Sequence, residues 1–262
     1  MSILKTISKP KDRPVIATIC GDSGIGKTSL AASFPNPIVI RTEDGLQSLT
    51  GDARPDAFPL IDSEDQLWDQ LKALIKDDHD YKTLVIDSVT ALERIFIDSV
   101  IAGDPKKPRS INQALGGYGA GLSAVGALHH RVRKAASILN EKRGMHVVFV
   151  AHADTTTIEL PDQDPYTRYS LRLGNKSMPA YVDDSDLVAF MKLETFTTGD
   201  GDRKKAISDG TRILVTYATA ANVSKNRYGI TDDIIFNQGE NPLTEFIPSL
   251  QSTTPTTKGA KK

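Results

Sequence analysis

Short runs of apolar, mostly β-branched residues recur along this chain, and amphipathic stretches separate them. The first run is Val15–Cys20; Ile38–Arg41, Thr83–Asp87, His146–Ala151 and Leu187–Met191 follow. Runs this short, apolar at consecutive positions, read as strands buried on both faces. Between them the period changes. Leu67, Trp68, Leu71, Leu74 and Ile75 recur at helical spacing behind an acidic start at Asp62-Ser63-Glu64-Asp65. Leu92, Ile95, Phe96 and Val100 mark the buried side of a second helix, and a long one is expected from Leu122 to Glu141. Ser29–Phe34 suits a short first helix, closed by Pro35-Asn36-Pro37.

Strands alternating with helices predict an α/β fold: a mostly parallel central sheet with helices on both faces. Thr195-Phe196 and Arg212–Tyr217 are expected to pair as antiparallel strands around Gly199-Asp200-Gly201-Asp202, at one edge of the sheet. The expected organisation is a lead-in over 1–14, one domain over 15–250, and a Thr/Pro/Lys-rich, disordered tail over 251–262. Two stretches stand apart. Gly103–Gly121 is rich in glycine and lysine and reads partly as loop. Ala153–Val182 is polar, holds several prolines, and is too long for a simple connection, which marks it as functional or mobile.

Composition narrows the partners. The 262 residues carry a net charge of −1, so any polyanion site must be a local patch. The single cysteine, Cys20, excludes an internal disulfide and sits in the first strand, where a small buried hydrophobe is its ordinary role. A reducing, cytoplasmic setting is expected, with no signal peptide and no membrane span.

Chemistry enters between the first strand and the first helix. Gly21-Asp22-Ser23-Gly24-Ile25-Gly26-Lys27-Thr28 fits G-x-x-x-x-G-K-[ST] in full, with Ser29 opening the helix. Glycines let backbone N–H groups turn inward around an anion, and a helix N-terminus favours negative charge. Lys27 is placed to reach the β- and γ-phosphates of ATP, and the Thr28 hydroxyl to ligate Mg²⁺. Asp87 ends a buried strand and is the second candidate Mg²⁺ ligand; Asp87 followed by Ser88 could also cap the next helix, the less favoured reading.

Hydrolysis needs a group that orients or deprotonates water. The residue after Asp87 is Ser88, not an acid, so the candidate is Glu43, with Asp44 its neighbour and rival. His152, ending the fourth strand, either touches the γ-phosphate or is a histidine satisfied by backbone. Lys225 and Arg227 lie two apart in a turn. Such a pair can reach a neighbouring subunit's phosphate, or it can be solvated surface.

The ordered set of phosphate loop, Ile40-Arg41-Thr42-Glu43, Leu84-Val85-Ile86-Asp87-Ser88, Val150-Ala151-His152 and Lys225-Asn226-Arg227 resembles the RecA-like P-loop NTPase core. It is most similar to the short, phage-encoded single-strand-annealing recombinases. The resemblance covers about Val15 to Gly229. It implies that Glu43 is the catalytic glutamate, that His152 senses the γ-phosphate, and that Lys225 and Arg227 reach the next subunit's ATP. It also implies two DNA-binding loops, Gly103–Gly121 and Ala153–Val182. Their cations are Lys106, Lys107, Arg109, Arg168, Arg172 and Lys176, with Tyr166, Tyr169 and Tyr181 interleaved for base stacking. Cations along the long helix, Arg131, Arg133 and Lys134 among them, read as its exposed face.

The expected activity is therefore DNA-stimulated ATP hydrolysis. Single-stranded DNA, further copies of the chain and a single-strand-binding protein are the candidate partners. A small-molecule kinase with Ala153–Val182 as its lid, and a nucleotide-switched interaction module, are the rival readings.

Overall fold

In the computed structural model, which describes residues 3–9, 12–198 and 205–251, the five apolar runs form the centre of one sheet. They are β1 (Ile16–Gly21), β2 (Pro37–Arg41), β4 (Thr83–Asp87), β5 (His146–Leu160) and β7 (Leu187–Leu193), and a two-residue strand β3 (Asp56–Ala57) extends one edge. These six run parallel in the order β3-β2-β4-β5-β1-β7. The helices are α1 (Lys27–Ala32), α2 (Glu64–Lys76), α3 (Val89–Gly103), α4 (Ala120–Arg143), and the single turns α5 (Pro179–Val182) and α6 (Pro248–Gln251).

The strands alternate between two cores. Ile16, Cys20, Leu84, Ile86, Val147 and Phe149 face α2, α3 and α4. Ala17, Ile19, Val85, Val148 and Val150 face Leu30 of α1 and the C-terminal residues Leu243, Ile247 and Leu250. Both faces are covered, so no strand position needs to be polar, which explains the continuous apolar runs. Cys20 is fully buried, and burial pushes its thiol up to about 12, as befits an inert core group.

Three expectations are corrected. First, Ala153–Val182 is no irregular loop. β5 runs on past the sheet to Leu160 and turns through Pro161-Asp162 into β6 (Gln163–Leu171), an antiparallel hairpin with a register shift between Ile158 and Leu160. Its side chains are mostly exposed, so no apolar run announced it.

Second, Phe196 pairs within a small hairpin of β8 (Phe196–Thr198) and β9 (Lys205–Ile207), not with Arg212–Tyr217. The run at Arg212 instead forms β10 (Arg212–Val215), antiparallel to β7, because Ile213, Leu214 and Val215 are apolar enough to complete the core. β11 (Lys225–Asn226) also pairs with β7, and β12 (Ile234–Phe236) closes the edge on β10. The Gly199–Asp202 turn and the tail beyond Gln251 lie outside the described residues.

Third, Tyr181 is core rather than a stacking platform. It is fully buried, its hydroxyl is 2.6 Å from His129 Nδ1, and its ring meets Phe149 edge-on. Arg133 is likewise buried, donating to Ser137 Oγ and the Asp184 carbonyl, and Arg131 lies over the Trp68 ring at 4.5 Å.

Candidate functional site

The carboxyl ends of the parallel strands gather the chemistry at one edge, as this topology requires. Gly21, the last residue of β1, stands in register with His152 on β5. Asp87, the last of β4, pairs with Arg41 on β2, and Glu43 follows two residues later.

The phosphate loop has its expected backbone. Gly24 (φ 76°) and Gly26 (φ 110°) occupy the left-handed region that only glycine enters freely. α1 is only six residues long, so the grip on an anion rests on the loop's own N–H groups and Lys27 rather than on an extended helix. Lys27 is 5 % exposed, and its Nζ donates to the carbonyl of Asp22 at 2.8 Å.

Beside it, Thr28 Oγ1 donates to Asp87 Oδ2 at 2.7 Å. Burial lowers the pKa of Lys27 and raises that of Asp87: each charged form lacks solvent. A polyphosphate against Lys27 and a cation against Asp87 would supply the missing counter-charge. Gly45 leaves room there, since a methyl group on it would sit 3.7 Å from both Asp87 Oδ2 and Thr28 Oγ1. Among the described residues no three His, Cys, Asp or Glu cluster as a metal cage. One carboxylate and one hydroxyl suit Mg²⁺, which takes its other ligands from phosphate and water. ATP with Mg²⁺ fits these groups.

Ser88, rather than Asp87, caps α3, accepting from the Ala91 N–H at 3.2 Å. Asp87 is thereby left to the cleft. Thr42 ties the two strand ends together. Its hydroxyl donates to the Ser88 carbonyl at 2.7 Å and accepts from the Ser88 N–H at 2.6 Å, and its own N–H donates to the Asp87 carbonyl at 2.9 Å. This brace fixes Glu43 across from the phosphate loop.

His152 Nε2 lies 3.0 Å from Glu43 Oε1, and its Nδ1 lies 3.3 Å from Ser23 Oγ. An ionised carboxylate only accepts, so Nε2 donates to Glu43; in the neutral ring Nδ1 is then the atom left to accept from the serine. The hydrogen bond from His152 is the main cause holding the Glu43 carboxyl below its ordinary range. The His152 backbone serves both sides of the strand: its N–H donates to Thr90 Oγ1 and its carbonyl accepts from Arg172. Asp44 turns away toward Arg41 at 3.6 Å and accepts from Gln47, so Glu43 is the carboxylate joined to the histidine.

These groups border a cleft of about 560 Å³ that also holds Ser29, Arg212 and Gln238. Sequence reasoning missed the last two. The signal was present: an antiparallel strand beside β7 must begin where the parallel strands end. The cation heading the run Arg212–Val215, and the polar residues after β12, therefore had to land at the phosphate edge.

Lys225 and Arg227 lie elsewhere. β11 pairs with Val188 and Leu187, at the opposite end of β7 from Met191. Lys225 Nζ donates to the Asp183 carbonyl at 2.6 Å. Arg227 shares Asp186 with Arg13, at 2.9 and 2.6 Å. Neither cation reaches the phosphate loop of its own chain.

Of the residues expected at DNA, Lys106, Lys107, Arg109, Arg172 and Lys176 are exposed. Arg168 is half-buried, and its Nε has no hydrogen-bond partner. Tyr169 stacks on Phe190, with ring centroids 4.8 Å apart. The two segments meet: Gly119 and Leu122 share a small apolar crevice with Gly174 and Lys176.

Among the described residues no helix is long and apolar enough to cross a membrane. Comparison with curated proteins gives no match. A protein-family model described as an AAA domain matches residues 13–228, a stretch that spans the phosphate loop, Glu43, Asp87, His152 and Arg227. On that match the chain belongs to the AAA domain family of P-loop ATPases, and the phosphate-loop motif lines the cleft described above.

Proposed function

We propose that this protein hydrolyses ATP and couples the hydrolysis to single-stranded DNA, in recombination, annealing or repair of the phage type, as an assembly of like subunits. The observation that carries the reading is the position of His152. Its ring joins Glu43 to the phosphate loop, and its backbone belongs to the strand that continues as the β5–β6 hairpin.

The chemistry runs as follows. Lys27 and the loop amides bind the phosphate tail. Thr28 and Asp87 would hold Mg²⁺, which when bound neutralises charge on the phosphates. Glu43 orients the attacking water and takes its proton. While His152 donates to Glu43, the carboxylate is a weak base. A γ-phosphate that draws His152 toward itself frees Glu43 and raises its basicity, so the water is activated only beside a complete triphosphate. The same displacement pulls on Arg172, whose N–H is held by the His152 carbonyl, and so on the end of the hairpin.

Several features favour a polyanion as partner. Lys106, Lys107 and Arg109 stand on one segment and Arg172 and Lys176 on its neighbour, and each can neutralise a phosphate of a strand laid across both. In a chain of net charge −1 a polyanion site must be a local patch, and these two adjoining segments offer one.

The test is the ATPase rate with and without single-stranded oligonucleotide, across protein concentration, together with salt-titrated binding in the presence of a non-hydrolysable ATP analogue. Stimulation by DNA, and affinity that falls steeply with salt, are expected. An enzyme that hydrolyses ATP but binds no oligonucleotide under any of these conditions would refute the DNA assignment. Phosphorylation of a metabolite in place of release of free phosphate would establish the kinase reading instead.

A further inference from the structure

Arg212 is the cation in the cleft for which the hydrolytic chemistry has no use. It heads β10, in register with Leu193 on β7 and Phe236 on β12. Its guanidinium is packed against the phosphate loop. A methyl group built on Gly26 would lie 3.5 Å from Arg212 Nη1, 3.8 Å from its Cζ and 3.2 Å from Phe236 Cε1. Among the described residues the side chain makes no hydrogen bond and no ion pair, yet it is partly buried in the wall of the cleft. A guanidinium carries five N–H donors, and here they face the cleft without a protein partner, open to an anionic ligand in place of water.

The sheet order says which part of a ligand that would be. Glu43, Asp87 and His152 come from β2, β4 and β5, all on one side of β1. Arg212 and Gln238 come from β10 and the turn after β12, on the other side of β1. The cleft therefore has a carboxylate-lined side, where the terminal phosphate must sit for water to attack it, and an opposite side with one cation and one amide. A nucleotide stretched across the phosphate loop places its α-phosphate and nucleoside on that opposite side.

We infer that Arg212 binds the nucleotide in cis at the α-phosphate, away from the reacting bond, with Gln238 as its polar neighbour at the nucleoside end. Arg212 is then an affinity residue. It meets ATP and ADP alike and does not distinguish the transition state from the ground state, so its loss weakens binding without slowing the bound enzyme. This rests on the reading of the cleft as the ATP site.

Arg212→Ala, Arg212→Gln and Arg212→Lys are compared with the parent protein by competition of ATP and ADP against a fluorescent nucleotide, and by steady-state hydrolysis. Arg212→Ala and Arg212→Gln are expected to raise Kd for ATP and ADP by a similar factor, about tenfold for one lost charge-assisted contact. KM rises with them, while kcat stays within about twofold. Arg212→Lys, which keeps the charge, restores most of the affinity. The salt dependence of Kd becomes shallower in the uncharged variants, which a merely structural role for the side chain would not produce.

Unchanged Kd in all three variants overturns the assignment. So does a fall in kcat larger than the rise in Kd, which would move Arg212 to the reacting phosphate. If instead the parent protein binds neither nucleotide, it is the reading of the cleft that fails.

Discussion

Glu43 Oε1 and His152 Nε2 stand 3.0 Å apart although β3, β4 and the three long helices α2, α3 and α4 lie between them in the chain. The contact joins the candidate base to the strand that leaves the sheet as the hairpin. Replacing Glu43 by Gln keeps the size and the capacity to bond His152 but removes the base. Hydrolysis is expected to fall about 10²- to 10⁴-fold, with ATP affinity nearly intact. Steady-state phosphate release and equilibrium binding of ATP by the same preparation measure the two. Equal loss of both would make Glu43 a structural residue.

Arg227 and Arg13 share Asp186 at the far end of β7, too far along the sheet to touch their own phosphate loop. If Arg227 completes a neighbour's site, Arg227→Ala should lower kcat about 10³-fold and leave binding by the single chain unchanged. Mixing tells more than the single variant. Lys27→Ala lacks a working loop but keeps Arg227, and Arg227→Ala has the converse defect. Two inactive preparations that recover activity when combined have sites shared between subunits. Recovery of none places the role of Arg227 within its own chain.

Two buried histidines set the acid side of stability. Burial holds His146 down at about 4 and His129 at about 3, and each needs its neutral ring. His146 Nδ1 accepts the Val15 N–H at 3.1 Å, which a protonated ring cannot do. The unfolded chain protonates these groups near 6.5, well before the folded one does. Stability is therefore full above about pH 6.5 and declines as pH falls toward 4, by roughly 2 kcal/mol per histidine between pH 7 and 5. Urea unfolding at both pH values reads the slope. His146→Gln, whose amide oxygen can still accept from Val15, should flatten it.

Phe149 is fully buried between the sheet and α4, with the Tyr181 ring edge-on at 4.8 Å. Phe149→Ala empties that place, and the tightly packed neighbours cannot close over it. Destabilisation of about 3–5 kcal/mol is expected by chemical denaturation. The surviving folded fraction should still bind nucleotide, because Phe149 faces the helices and not the cleft.

Legibility in the sequence followed burial. β1, β2, β4, β7 and the inner half of β5 are enclosed on both faces, and each is a largely apolar run. The helices they alternate with show period 3.6 because only one face of each is covered. The phosphate loop and Asp87 were readable because their chemistry dictates both residue types and strand context. Three kinds of feature were not readable. The hairpin beyond Ala153 is held by backbone pairing and carries mostly solvated side chains, so Thr155-Thr156-Thr157 and Tyr166-Thr167-Arg168 do not differ from loop in composition. The pairing of Arg212–Val215 was misassigned because the glycine-rich turn before it suggested a local partner, whereas its three apolar side chains were better buried beside β7. Arg133 was misjudged because a cation on a long helix is usually outside; here Ser137 and the Asp184 carbonyl accept its protons within the fold.

From His152 to Leu160, β5 is one continuous strand with no hinge between sheet and hairpin. At about 3.3 Å per residue this stretch is an arm some 26 Å long, rooted at the residue that touches the phosphate loop and steadied near its base where Tyr169, opposite Thr155, bonds the Ala221 carbonyl and the Val223 N–H. A lever magnifies angle into travel: about 5° of tilt at the root sweeps the far end through roughly 2 Å, close to the width of a hydrogen bond. On the proposed role of His152, the presence or loss of a single phosphate would in this way be felt at a distance without any large rearrangement of the core.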